Sequence, residues 1–153
     1  MDGIKSLSAI FFGTLFFAST QLMAADSLII KKESQQSVAE TMDKFESIVK
    51  AKGLGVFGRV NHQENAKKVD MEMGEAEVLI FGNPKMGTVL MKQDIAVALD
   101  LPMKVVVYKD ADGKVFIAYR SPKALLADYA LEDNPALDKA TGALDKLTSA
   151  AIK

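Results

Sequence analysis

The chain has 153 residues, 19 basic and 20 acidic, a formal net charge of -1 and no cysteine. Those counts exclude disulfides, thiol catalysis, thiolate zinc sites and iron–sulfur clusters. A near-neutral chain with no Trp and no basic stripe also points away from nucleic acid.

At the N-terminus, Lys5 precedes an uncharged apolar run from Leu7 to Phe17, and Ala24-Ala25 follow it. This is the layout of a secretory signal peptide. The run is too short for about 30 Å of hydrocarbon. Cleavage is therefore expected after Ala24, leaving one domain over residues 25–153. That domain is expected in the periplasm or outside the cell, without stable membrane insertion. No Cys follows the run, so lipoprotein processing is excluded.

Ser27 to Lys32 reads as a first strand. Ser37 and Glu40 form a capping-box pair, and Val38, Met42, Phe45 and Val49 recur at helical spacing until Gly53. Leu54 to Asn61 reads as a strand with Val56, Gly58 and Val60 on one face and Phe57, Arg59 and Asn61 on the other. Gln63 to Lys68 suits one helical turn, and Val69 to Met73 alternates weakly. Glu77 to Phe81 is a further strand.

The next stretch, Phe81-Gly-Asn-Pro-Lys-Met-Gly-Thr-Val-Leu-Met91, is a sharp strand-to-helix junction. Gly82 permits a positive φ. Asn83 suits an N-cap and Pro84 the first turn. Free N–H groups at such a start can hold an anion. Val89 to Leu99 has helical composition, with Asp94 placed to cap a second short piece and Pro102 ending the region. Met103 to Tyr108 and Lys114 to Tyr119 form a hairpin around Asp110-Ala-Asp-Gly113. That turn lacks the full ligand pattern of a calcium loop. Ser121-Pro122 and Asn134-Pro135 both read as helix starts, and Leu137, Ala140, Leu144, Leu147 and Ala151 make a final stripe. The order β-α-β-β-(helical insert)-β-β-α predicts an α+β fold, a curved antiparallel sheet with helices packed on one face.

The loop motif resembles the domain-of-unknown-function 302 family. The resemblance rests on Phe81-Gly-Asn-Pro-Lys-x-Gly-Thr-x-Leu-Met91, on Asp100-Leu-Pro-x-Lys104, on Asp112-Gly-Lys to Tyr119, and on Val56-Phe57 with Asn61-His62 and Ala66. It covers about residues 37 to 122, with the C-terminal helices at 122–152 beyond it. One departure is Gly74-Glu-Ala76, where family members often carry a Pro-Thr-like pair. The resemblance implies a TATA-binding-protein-like α+β fold and no DNA binding, since fold is not function. It implies no catalytic residues.

The candidate site therefore comprises His62, Asn83, Lys85, Gly87, Thr88, Met91 and Asp100. His62, the sole histidine, can act as a base, a ligand or a structural hydrogen-bonding group. Met71, Met73, Met86, Met91 and Met103 cluster in sequence, so thioethers with one His could hold Cu(I) or haem iron, or simply fill the core. The metal and cofactor assignments stay open. The leading expectation is a non-catalytic domain that binds a small ligand or ion at this loop and His62, as a homodimer. The alternatives are a structural or protein-interaction module without ligand, and an enzyme using His62 and Asp100, with His62 and Lys104 as conceivable partners of Asp100.

Overall fold

The computed structural model describes residues 28–131 and 134–153. The expected signal peptide, 1–24, lies outside them. Strands β1 (Ile29–Ser34), β2 (Gly55–Asn61), β3 (Ala76–Gly82), β4 (Met103–Lys109) and β5 (Val115–Arg120) form one five-stranded sheet in the order β1-β5-β4-β3-β2. Every pairing is antiparallel. The helices are α1 (Val38–Ala51), α2 (His62–Lys67), α3 (Pro84–Met91) and α4 (Pro135–Ala151), with 3-10 turns at Ile95–Leu99 and Pro122–Ala127. The α+β fold expected from the element order is the fold observed.

Local sequence explains where α1 begins. Ser37 Oγ accepts from the Glu40 amide at 3.2 Å, and the Glu40 carboxylate accepts from the Ser37 amide at 3.0 Å. Hydrogen bonds from the Ser37 side chain and backbone hold the Glu40 carboxyl below its ordinary range. The stripe Val38, Met42, Phe45 and Val49 is fully buried against the sheet. Phe45 meets Phe81 of β3 edge to face, with centroids 5.3 Å apart. On α4, Leu144, Leu147 and Ala151 join the same core.

Two polar clusters fasten these helices to the sheet. Lys32 of β1 donates from Nζ to the Asp145 carboxylate at 2.8 Å, Thr148 Oγ1 at 2.9 Å and Ser149 Oγ at 2.7 Å. It thereby pins α4, and its hydrogen bond, with its charge, lowers the Asp145 carboxyl. Arg59 of β2 donates to Glu77 of β3 at 2.6 Å and to Asp43 and Glu46 of α1 at 2.6 and 3.1 Å. Burial opposes the Arg59 charge, but hydrogen bonds to Asp43, Glu77 and Glu46 outweigh it and raise its pKa.

The faces of β2 differ from strict alternation. Val56 pairs with Phe81, but Gly58 pairs with Ile80, so the register shifts by one residue at Phe57. This bulge puts Val56 on the helix side together with Arg59 and Asn61, rather than with Gly58 and Val60. An extra residue in one strand inverts the alternation beyond it. Val69, Met71 and Met73 form no strand and are exposed. Ser121 makes no side-chain cap, and the segment after it is a 3-10 turn rather than an α-helix.

Candidate functional site

β3 ends at Gly82 and delivers the chain into α3. Gly82 does not use a positive φ, which among the described glycines is confined to Gly53 and Gly113. A Cβ on Gly82 would lie 3.6 Å from the Phe57 ring and 3.7 Å from Pro102. Its role is spatial: three segments meet there. Asn83 caps α3, its Oδ1 accepting from the Lys85 amide at 3.0 Å and the Met86 amide at 3.3 Å. The Gly87 amide donates to the Asn83 carbonyl at 2.9 Å, and Pro84 has no N–H to offer. The first turn of α3 is thus satisfied internally. Asn83 takes up the amides expected to be free for an anion.

The remaining loop residues divide in two. Thr88 donates from Oγ1 to the Pro84 carbonyl at 2.8 Å, and Lys85 is exposed. Asn83, Gly87, Met91 and Asp100 instead line a cleft of about 430 Å3 between α3, the end of the sheet and α4. Its walls are mainly apolar: Leu90, Leu101, Met103, Leu125 and Leu147 contribute. A volume of that size falls within the range of about 300–1,000 Å3 typical of small-molecule sites.

His62 is not at this cleft. It opens α2 directly after Asn61, which pairs with Glu77, while the loop starts at Gly82. Five residues of strand, about 17 Å at 3.3 Å per residue, separate the two positions along β3. The methionines divide the same way. Met86, Met91 and Met103 line the cleft, whereas Met71 and Met73 are exposed in the segment before β3. The His-plus-thioether set considered for a metal is not brought together. Among the described residues there is no group of three or more His, Asp or Glu able to hold a metal.

Asp100 pairs with neither His62 nor Lys104. Its carboxylate accepts from Tyr129 Oη at 2.6 Å. That hydrogen bond, with burial and the nearby Asp128 and Asp94 charges, pushes the Tyr129 phenol up to about 12. Two further bonds reinforce it: the Ala130 amide donates to Asp94 at 3.2 Å, and Asn134 Nδ2 donates to Gln93 at 2.8 Å. Leu90, Val97, Leu125, Leu131 and Leu137 form a second apolar cluster beneath these bonds. Together they hold the 84–100 segment as the outer wall of the cleft. Neither the Tyr129 contact nor the Asn134 contact has a local sequence signal, because their partners lie 29 and 41 residues away.

A raised phenol pKa stabilises the fold fully below the unfolded value near 10, and that contribution disappears as pH rises through about 12. Asp100→Asn should therefore return Tyr129 toward pH 10. The check is a difference in ultraviolet phenolate absorbance between wild type and variant. An identical titration in both would show that Asp100 does not hold the phenol.

The fold and its loop define a family. The chain belongs to the family described as Domain of unknown function DUF302, which matches residues 30–152. The match runs through α4, well beyond the 37–122 span legible from the motif. A solved relative is the uncharacterized conserved protein DUF302 from Bacillus stearothermophilus. It superposes with a TM-score of 0.66 at 21% identity, covering 82% of this chain and 96% of that one, which is agreement in fold. Curated relatives include the Fluoride-specific ion channel FluC 1 of Brucella suis biovar 1 and the protein of the same name from Brucella abortus biovar 1. Each is 38% identical over 106 residues, 69% of this chain. The chain spans about two fifths of their length, 42% and 39% respectively. No helix among the described residues is long and apolar enough to cross a membrane.

Proposed function

We propose that this protein is a non-catalytic binding domain that takes a small, largely apolar ligand in the cleft beside the Gly82–Met91 loop. The observation that carries the reading is the cleft itself: about 430 Å3, apolar-walled, with Asn83, Gly87 and Met91 from α3 and its N-cap and Asp100 from the end of the Ile95–Leu99 turn facing it. Concave apolar sites with a few placed polar groups are where small molecules bind. Asn83 and Asp100 are both committed to holding the wall, through the α3 cap and Tyr129. Acid–base chemistry by an Asp100–His62 pair has no geometric support, since His62 sits at the other end of β3. In this reading the chain is exported after removal of residues 1–24, and assembly as a homodimer belongs to the same proposal. The name of the curated relatives suggests that such a domain can accompany an ion channel. Their transport activity is not carried over, because this chain spans only part of them.

Gly87 offers a selective test. It lies inside α3, where a side chain suits the helix better than glycine by about 0.5–1 kcal/mol. Its Cβ would stand 3.7 Å from Leu101 Cδ1 and 3.9 Å from Met91 Cε, ordinary contacts at the cleft wall. Gly87→Leu should keep the fold and fill the cleft. Native mass spectrometry of wild type should show excess mass that vanishes on denaturation, and Gly87→Leu should lack it. Equal excess mass in both proteins would place the ligand elsewhere and refute the cleft assignment.

A further inference from the structure

Two cations stand at the rim of the cleft, on the sheet face opposite the buried Val105 and Tyr119, and their charge is unbalanced. Lys104 of β4 and Arg120 of β5 are among the residues lining the cleft, and both are exposed. Val105 pairs with Tyr119 in the β4–β5 ladder. One step toward the cleft, Lys104 and Arg120 therefore stand opposite each other. Like charges directly opposed on neighbouring strands repel. Their other cross-strand neighbours give no relief: Lys104 faces Ile80 on β3, and Arg120 faces Ile29 on β1. Among the described residues neither forms an ion pair. The Lys104 ammonium reaches only the Pro102 carbonyl, at 3.5 Å. The carboxylate at the cleft, Asp100, is engaged by Tyr129.

We infer that the ligand is an amphiphilic anion, with an apolar body in the cleft and one anionic head group at the Lys104–Arg120 pair. The inference rests on the cleft reading above and narrows it to a chemical class. An anion between the two cations would convert a repulsive cross-strand pair into two attractive contacts. The apolar wall from Leu90, Leu101, Leu125 and Leu147 would take the remainder of the molecule out of water. A neutral apolar molecule would gain the second term without the first.

Sodium octanoate, 1-octanol and acetate serve as probes: body with anionic head, body alone, head alone. Backbone amide shifts in nuclear magnetic resonance titrations would be followed for wild type, Lys104→Gln, Arg120→Gln, the double variant and Gly87→Leu. Wild type should bind octanoate about tenfold or more tightly than 1-octanol, with shifts at the cleft, and should not bind acetate measurably. Each single variant should weaken octanoate about fivefold, the scale of an exposed ionic contact. The double variant should bind octanoate and 1-octanol alike, and Gly87→Leu should bind neither. Equal affinities for octanoate and 1-octanol in wild type, unchanged in the double variant, would overturn the anionic class and leave the cleft reading standing. Shifts at the cleft with neither octanoate nor 1-octanol would overturn both. Saturable acetate binding that survives Gly87→Leu would make the pair a surface anion site and overturn the amphiphile.

Discussion

Phe81→Ala should unfold the protein or cost about 3–5 kcal/mol, the usual range for emptying a buried aromatic position. Phe81 is fully buried and stands edge-on to Phe45 at 5.3 Å. Its backbone pairs with Val56 on β2 and Met103 on β4. The side chain thus joins α1 to the centre of the sheet one residue before the chain turns into the loop. If the variant folds, the cleft should be compromised as well, because Gly82 and Asn83 take their positions from that strand end. Urea denaturation measures the first effect. A double cycle with Phe45→Ala should show coupling of about 0.5–1.5 kcal/mol from the ring pair. A loss below 1 kcal/mol for Phe81→Ala would mean that the strand end is held by other contacts.

The second large effect is expected at Arg59. Arg59→Met keeps most of the apolar stem and removes the charge that Glu77, Asp43 and Glu46 share. Glu77 is the sensitive partner. Its side chain is only 11% exposed, and Asn61 Nδ2 at 3.3 Å is the remaining donor. Stranding a buried charge costs about 3–5 kcal/mol; partial exposure of Arg59 places the expected loss below that range, at about 2–3 kcal/mol. Glu77→Gln in the same chain should recover much of it, because a neutral amide needs no cation. Thermal denaturation of the single and double variants checks this. An Arg59→Met protein as stable as wild type, or a double variant less stable than the single, would show that Glu77 does not depend on Arg59.

The bulge at Phe57 shows where sequence periodicity stops being informative. Alternation put Arg59 opposite Val56, as period two requires. The single inserted residue returned Arg59 to the helix side, where its three carboxylates lie. Nothing in Val56-Phe-Gly58 announces that register, which is settled by pairing with β3. The segment Val69 to Met73 makes the complementary point. It alternates, but no neighbouring strand pairs with it, and its apolar residues remain exposed.

Local chemistry, by contrast, was legible at most helix starts, though not at Ser121, which makes no side-chain cap. The capping box at Ser37 and Glu40, the α3 start at Asn83-Pro84, the Asp94 cap and the α4 start at Asn134-Pro135 all depend on atoms within three residues of each other. The core stripes of α1 and α4 were readable because helical spacing alone gathers them on one face. From these followed the element order, and from the loop motif the family.

The site was legible only as a list of residues. Of seven candidates, Asn83, Gly87, Met91 and Asp100 line the cleft. Lys85 and Thr88 belong to α3 without lining it, and His62 lies at the far end of β3. The partners that give the cleft its character are Tyr129, Lys104 and Arg120. Tyr129 is tied to Asp100 across 29 residues, and Lys104 and Arg120 meet only through the β4–β5 register. The sequence by itself determined the starts of α1, α3 and α4, the buried stripes, the fold class and the family, because each rests on spacing along the chain. Tertiary structure alone decided which residues share the cleft, since strand register and the packing of α3 against α4 bring together groups whose spacing carries no period.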